Sequence, residues 1–350
     1  MPDPLDFFAS KRVVITGGAG SIGSELVRQL LNAPVKAVRV IDNNETSLFE
    51  IGERWRSDSR FEAYYCDVRD EVEVARTFYG MDVCLHAAAL KHVPFCEASP
   101  FSAVQTNVIG TQTVIRAALA NRLSHVMLTS SDKAVNPINV MGTSKLMAER
   151  LFSAAEQLNT GQSRCIFSAT RFGNVAGTRG SVIPLFLSQL RTGQALTLTD
   201  PGMTRFFMTL EEAVMLVLTA TGLAKGAEIF VTKMPVLRIA DLAAVMVEEL
   251  APLFGRKPSD VQIKTVGARP GEKMWEELTN DEESRRIFDL GSFFVVVPAM
   301  REAAPAPGQP LGYIYNSRNE TPMSRDQIKS LLHKPGVLPA EIHAMLSARR

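Results

Sequence analysis

Lys11-Arg12-Val13-Val14-Ile15-Thr16-Gly17-Gly18-Ala19-Gly20-Ser21-Ile22-Gly23 is the stretch whose reading decides the fold. An apolar, β-branched run stops at a cluster of glycines, and a helical pattern over Ser21–Leu31 begins at once. Glycine is needed where the chain turns sharply out of a strand, brings its backbone against a pyrophosphate, and packs the next helix on the sheet. The first turn of that helix offers unpaired N–H groups and the positive end of its dipole to phosphate. Gly17, Gly20, Ser21, Ile22 and Gly23 are therefore the candidates for holding a dinucleotide. Three glycines alone are a weak signal, but here strand, helix and a later acid stand in the order such a site requires.

That acid is Asp42, which closes the second apolar run, Ala37–Asp42, about twenty residues beyond the glycines. Its carboxylate can accept from both hydroxyls of an adenosine ribose and would repel a 2′-phosphate. No arginine follows it (Asn43, Asn44, Glu45), so the pattern favours NAD over NADP. The plainer reading is an aspartate that caps a turn. Further β-rich runs at 61–68, 81–88, 126–130 and 165–170 alternate with helical patterns. Strands apolar throughout and separated by helices predict a parallel sheet covered on both faces, the doubly wound α/β (Rossmann) arrangement. Asp67 and Val68, ending the third run, fall at the adenine edge, and Ala87, near the end of the fourth, beside the cofactor.

Past Asn174 the alternation loosens. Helices are expected at 184–191, 211–223, Ile239–Leu250, 272–278, Arg325–Leu332 and 339–347, with a proline-rich connector at 303–310. This predicts an NAD-binding domain over 1–180 with a return segment near 205–225. Residues 181–350 would form mainly a smaller α/β substrate lobe and a C-terminal extension. A length of 350 residues suits such a pair.

With 46% apolar and 21% charged residues the composition is that of an ordinary globular chain. The net charge of +1 makes no electrostatic case for nucleic acid or an anionic membrane as partner. The four cysteines form no CxxC pair and read as reduced thiols of a cytoplasmic protein. The five histidines show no metal-ligand spacing, and none is assigned a metal. The first ten residues are unlike a signal peptide, and no apolar run is long enough to span a bilayer, so no membrane insertion is expected.

Two segments carry the chemistry. Thr129-Ser130-Ser131-Asp132-Lys133 leaves the run at 126–130, and Met141-Gly142-Thr143-Ser144-Lys145 opens a helix. Residues 141 and 145 share a helix face. In short-chain dehydrogenases that pair is Tyr and Lys: the lysine orients the nicotinamide ribose and lowers the phenol's pKa so that it can act as base. Here a thioether, which cannot transfer a proton, stands in the Tyr position. The plain alternatives are a surface ion pair for Asp132 and Lys133, and a solvated loop lysine for Lys91.

Four stretches, HAAALKHVPFCEASPFSAVQTNVIGT (86–111), SSDKAVNPINVMGTSK (130–145), TRFGNVAGTRGSVIP (170–184) and TRFFMT (204–209), resemble one family. It is the bacterial polysaccharide-biosynthesis family of UDP-N-acetylglucosamine 4,6-dehydratases, extended short-chain dehydrogenases, some of which carry Met for Tyr. The resemblance runs from the first strand to about Glu277. Several Met-type members are large membrane-anchored proteins, and this chain corresponds to their soluble catalytic portion.

The resemblance implies a lyase with internally recycled NAD that makes a 4-keto-6-deoxy sugar nucleotide, working as a homo-oligomer. It implies Asp132 as the acid for the departing C-6 hydroxyl and Lys133 as the base at C-5. Lys145 would hold the ribose and Met141 would fill space. Ser130 or Ser131 would relay the C-4 hydroxyl proton. Lys91, Asn174, Arg205, Arg269 and Glu272 fall at the UDP-sugar, where an arginine fork suits a diphosphate. For Glu272 the plainer role is to favour a helix dipole. Two other readings stand: a UDP-sugar 4-epimerase, which needs no acid and base at C-6 and C-5, and a catalytically silent NAD-binding scaffold protein.

Overall fold

The computed structural model describes residues 3–158, 164–178, 180–268, 270–299 and 310–348. Six strands alternate with helices: β1 (Arg12–Thr16), β2 (Ala37–Asp42), β3 (Phe61–Tyr65), β4 (Val83–His86), β5 (His125–Ser131) and β6 (Ile166–Phe172). They lie side by side as β3-β2-β1-β4-β5-β6. Beyond β6 come Ile229–Thr232, parallel to it, and then Phe293–Val296 and Ile287–Asp289, which run antiparallel. The order of the six reverses between β1 and β4, and ligands of doubly wound sheets sit outside the strand ends at such a point. Register brings the pieces together there, because Thr16 pairs with Ile41 on one side and His86 on the other. Gly17, Asp42 and Ala87 thus leave neighbouring strands at one edge.

The central strands are largely buried because helices cover both faces, whereas the edge strand β3 is half-buried to exposed. Every residue of β4 is buried, and Val14, Ile41, Cys84, Val126 and Phe167 share a core cluster with Val114, Ala148 and Phe152 from the helices. The runs at 61–68 and 81–88 give shorter strands than the sequence suggests. Past His86 the chain leaves the ladder, and Ala87 and Ala88 donate instead to the carbonyl and hydroxyl of Thr16.

Contacts divide the chain into two compact units. The first is Met1–Arg171, Val214–Thr232 and Asn280–Ile314; the second is Phe172–Ala213, Lys233–Thr279 and Tyr315–Arg350. From sequence the boundary falls near 180 with one return; in the structure the first unit recovers two segments. The second of these carries the hairpin that covers the sheet edge at Ile229–Thr232, a use of short strands with no helical or Gly-rich signal to announce it.

The second unit holds a three-stranded sheet (Val236–Arg238, Thr204–Met208, Asn174–Val175) and a parallel pair (Leu196–Leu198 with Ile263–Thr265). Its core takes Phe186, Leu190, Leu242 and Met246 from the helices Val182–Arg191 and Ile239–Leu250. It also takes Ile328, Leu332, Ile342 and Leu346 from Arg325–Leu332 and Ala340–Ser347, so the terminal helices are part of this core. The helix expected over 272–278 does not form. Its backbone groups bond sideways instead: Met274 O accepts from Thr204 N, Leu278 N donates to Tyr315 O, and Glu276 N donates to Ser317 Oγ. Tertiary partners there outcompete an i→i−4 ladder. Residues 303–309 of the proline-rich connector lie outside the described residues.

Candidate active site

The glycine loop is as tight as its composition implies. Gly17 has φ of +65°, and a Cβ there would lie 2.6 Å from Ala88 N. A Cβ on Gly18 would lie 2.6 Å from Val40 Cγ1, and one on Gly23 would collide with the Gly17 carbonyl. Gly20 is the N-cap of the helix Ser21–Leu31 and has no side chain to bond its first turn. These are the features of a cradle in which backbone N–H groups face a pyrophosphate. Asp42 does the plainer job as well: Oδ2 accepts from Ala19 N (3.1 Å) and Oδ1 from Asn44 N (3.0 Å). Each oxygen keeps a second lone pair for a ribose hydroxyl. The residues therefore fit a dinucleotide.

Asp67 is gripped by Arg69 (2.9 and 2.6 Å) and by Asn43 Nδ2 (3.0 Å). The Arg69 hydrogen bonds, more than anything else, pull its pKa down to about 2. Val68 is buried and would touch any Cβ placed on Gly110, so this glycine lets the helix Gly110–Ala120 close on the loop after β3. Both ring nitrogens of His86 are engaged in hydrogen bonds. Its Nδ1 bonds Thr16 Oγ1 (2.6 Å) and its Nε2 bonds Thr111 Oγ1 (3.1 Å). Burial drives its pKa down to about 3, and the Lys145 charge adds to that.

The candidate catalytic residues Ser131, Asp132 and Lys133 lie on the turn where β5 ends. Ser131 Oγ donates to Asp132 Oδ1 (2.7 Å), and Lys133 Nζ donates to the same oxygen (3.0 Å). Asp132 is 0% exposed, which removes the reading of a surface ion pair. Its Oδ2 is buried with no hydrogen-bond partner among the described residues. The helix Val140–Ala155 docks on this turn at Gly142, where a Cβ would run into the Lys133 carbonyl. Asn139 caps that helix by accepting from Gly142 N (2.7 Å). Lys145 is 7% exposed and donates to the Thr129 carbonyl (2.9 Å). Burial lowers its pKa to about 8 against the opposing pull of Glu149. Met141 is packed with Cys96 and Ala103.

Ser130 and Ser131, interchangeable from sequence, have separate partners. Ser130 Oγ donates to Glu149 Oε1 (2.5 Å), and Glu149 is locked to Arg171. Ser131 belongs to the Asp132 group. Lys91 is exposed on the loop after β4. Sequence reasoning missed Asn107, which is buried in the π-helical turn Val104–Ile109. Its Oδ1 accepts from Leu90 N (2.8 Å), and its Nδ2 donates to Leu90 O and Ser144 Oγ (both 2.9 Å). It ties the loop after β4 to the helix that carries Lys145. A polar residue inside an otherwise helical stretch was the available signal. Glu149, four residues beyond Lys145 on the same face, was another.

In the second unit, Asn174 is half-buried and pairs with Phe207. From sequence Arg205 faces a diphosphate; in the structure its guanidinium is buried. It donates to the carbonyls of Thr204 (2.7 Å) and Lys273 (2.7 Å) and lies 3.5 Å from Glu276 Oε1. This corrects its role to that of a clasp holding the 273–276 segment. Glu272 is half-buried on a loop, so no helix dipole explains it. Arg269 lies outside the described residues.

Residues 13–298 match the family described as polysaccharide biosynthesis protein. The chain belongs to the polysaccharide biosynthesis protein family. An uncharacterized membrane protein of Methanocaldococcus jannaschii is 47% identical over 330 residues, covering 94% of this chain and 97% of that one. A UDP-glucose 4-epimerase of Rickettsia canadensis is 35% identical, covering 93% and 96%. Among solved structures, Pen from Bacillus thuringiensis superposes with a TM-score of 0.89 at 40% identity, covering 95% of this chain and all of that one. The dTDP-glucose 4,6-dehydratase DesIV of Streptomyces venezuelae, solved with NAD, gives 0.67 at 25% identity, covering 75% and 86%. The relatives and structural neighbours of this chain thus include a nucleotide-sugar epimerase and a nucleotide-sugar dehydratase. Among the described residues no helix is long and apolar enough to cross a membrane, and no group of His, Cys, Asp and Glu could hold a metal. All four cysteines are buried, and none forms a disulfide.

Proposed function

We propose that this chain is an NAD-dependent lyase that removes water from a nucleotide-linked hexose, UDP-N-acetylglucosamine first among candidates, giving a 4-keto-6-deoxy sugar nucleotide for glycan synthesis. The observation that carries the proposal is the contiguous Ser131–Asp132–Lys133 group, bonded at 2.7 and 3.0 Å, beside a helix bearing Met141 in the Tyr position. Held by Gly17, Gly20, Ser21, Ile22, Gly23, Asp42, Asp67, Val68, Ala87 and Lys145, NAD would accept hydride from C-4 of the sugar and return it at C-6.

The residues divide the protons. Ser131 Oγ takes the C-4 hydroxyl proton while passing its own to Asp132. That carboxyl then protonates the C-6 hydroxyl as it leaves, so one proton serves both steps. Lys133, acting in its neutral form while still donating to Asp132, removes the C-5 proton and afterwards returns it. Unpartnered Oδ2 of Asp132 is a place where the transferred proton can reside. Ser130, already donating to Glu149, braces β5 rather than relaying. Lys91, Asn174, Arg269 and Glu272 are the proposed contacts with the UDP-sugar, and Arg205, which clasps the 273–276 segment, would act through the backbone next to Glu272. Cytoplasmic homo-oligomers are the working form in this reading.

A second reading, UDP-sugar 4-epimerase, is favoured by the name of the Rickettsia relative. It leaves the acid and base without a task at C-6 and C-5. Incubation with UDP-N-acetylglucosamine, followed by mass spectrometry and NMR, separates the two. Loss of one water without added NAD supports the dehydratase; unchanged mass with an inverted C-4 supports the epimerase.

A further inference from the structure

Four ionisable side chains are buried together behind the end of β5: Lys145, Glu149, Arg171 and Glu283, none more than 7% exposed. Arg171 forks onto both carboxylates, giving Nε and Nη2 to Glu149 (2.9 and 2.6 Å) and Nη1 and Nη2 to Glu283 (both 2.8 Å). That triad alone carries one excess negative charge, which is costly in a dry interior. Lys145 stands one helical turn from Glu149 on the same face, and the four charges cancel only while its ammonium keeps its proton.

The other charged groups around this helix do not substitute. His86 is uncharged, Asp132 and Lys133 pair with each other, and Glu97 accepts from Val140 N at the exposed helix start. Arg286, whose charge also acts on Glu283, is held in a bidentate pair with Glu282. Nor does a phenolate at 141 supply an anion, because that residue is Met. We infer that Glu149, clamped by Arg171, is a positioning residue that keeps the Lys145 ammonium charged and so sets the pH range over which the cofactor's ribose can be held. The direction agrees with the pull of Glu149 on Lys145, which resists the effect of burial. The inference goes beyond the dehydratase reading and applies equally to an epimerase.

The test is NADH binding by fluorescence across a pH series, for the natural chain and for Glu149→Gln, whose amide can still accept from Ser130. The expected result is an alkaline midpoint displaced downward by about one pH unit; an unmoved midpoint overturns the inference. Thermal melting of Lys145→Met with and without Glu149→Gln supplies a second measurement. Removing both charges leaves a neutral Arg171–Glu283 pair, so the double variant should melt above Lys145→Met. A double variant that loses the sum of the two single losses, or fails to fold, overturns the inference even where Glu149→Gln alone is too unstable to titrate.

Discussion

Met141 occupies the Tyr position of the helix, and its thioether is buried with Cys96, Ala103, Val93 and Val140. A side chain so placed contributes volume, so Met141→Leu should retain most turnover. Asp132→Asn keeps the shape but cannot accept and deliver a proton, and kcat should fall by roughly 10² to 10⁴. Lys133→Ala should abolish water loss while NADH binding, followed by fluorescence, stays intact; near-normal turnover would remove the lysine from its proposed role. His86 sets an acid limit at the same scale. Unfolded, it takes a proton below its ordinary 6.5, but in the fold burial delays this to about 3. Its stabilising contribution is therefore complete above 6.5 and lost as pH falls toward 3, by about 1.4 kcal/mol per pH unit. Urea melts of His86→Gln should show a shallower acid limb than the natural chain.

At the scale of elements, the helix Val140–Ala155 places Met141, Lys145 and Glu149 on one face and docks on the turn after β5 at Gly142. Gly142→Ala forces a methyl into the Lys133 carbonyl, on the turn that carries the proposed acid and base. It should cost about 2 kcal/mol or more and reduce kcat more than KM, read from Tm and steady-state kinetics. Helix and strand patterns in this unit were legible because their signals are local: Ser21–Leu31, Ala37–Asp42 and Ile239–Leu250 fall where periodicity puts them. The 272–278 segment misleads because its helical pattern competes with partners from Thr204 and residues 315–317, over a hundred positions of chain between them. Gly142 itself is invisible as a contact, since the atom it avoids belongs to another element.

For the molecule as a whole, two units are interleaved along the chain, and the last thirty or so residues close the core of the second. Ending the chain before Arg325 would strip Ile328, Leu332, Ile342 and Leu346 from that core. The truncated protein should lose cooperative melting of the second unit and become sensitive to limited proteolysis there, with the sheet of the first unit retained by circular dichroism. From sequence these helices were legible as helices, but not as core.

By itself, then, the chain's order of residues determined the doubly wound sheet, the glycine cradle, Asp42, and the Asp132–Lys133 and Lys145 segments. Each of these rests on contacts between near neighbours or on a period that repeats within one element. Only the tertiary structure decided that Ser131 rather than Ser130 joins the acid, that Arg205 clasps backbone, and that Glu149, Arg171 and Glu283 form one buried charge cluster. Those outcomes depend on which side chains meet across distant segments in a low-dielectric interior, where a single unmatched charge or hydrogen bond costs enough to choose between arrangements.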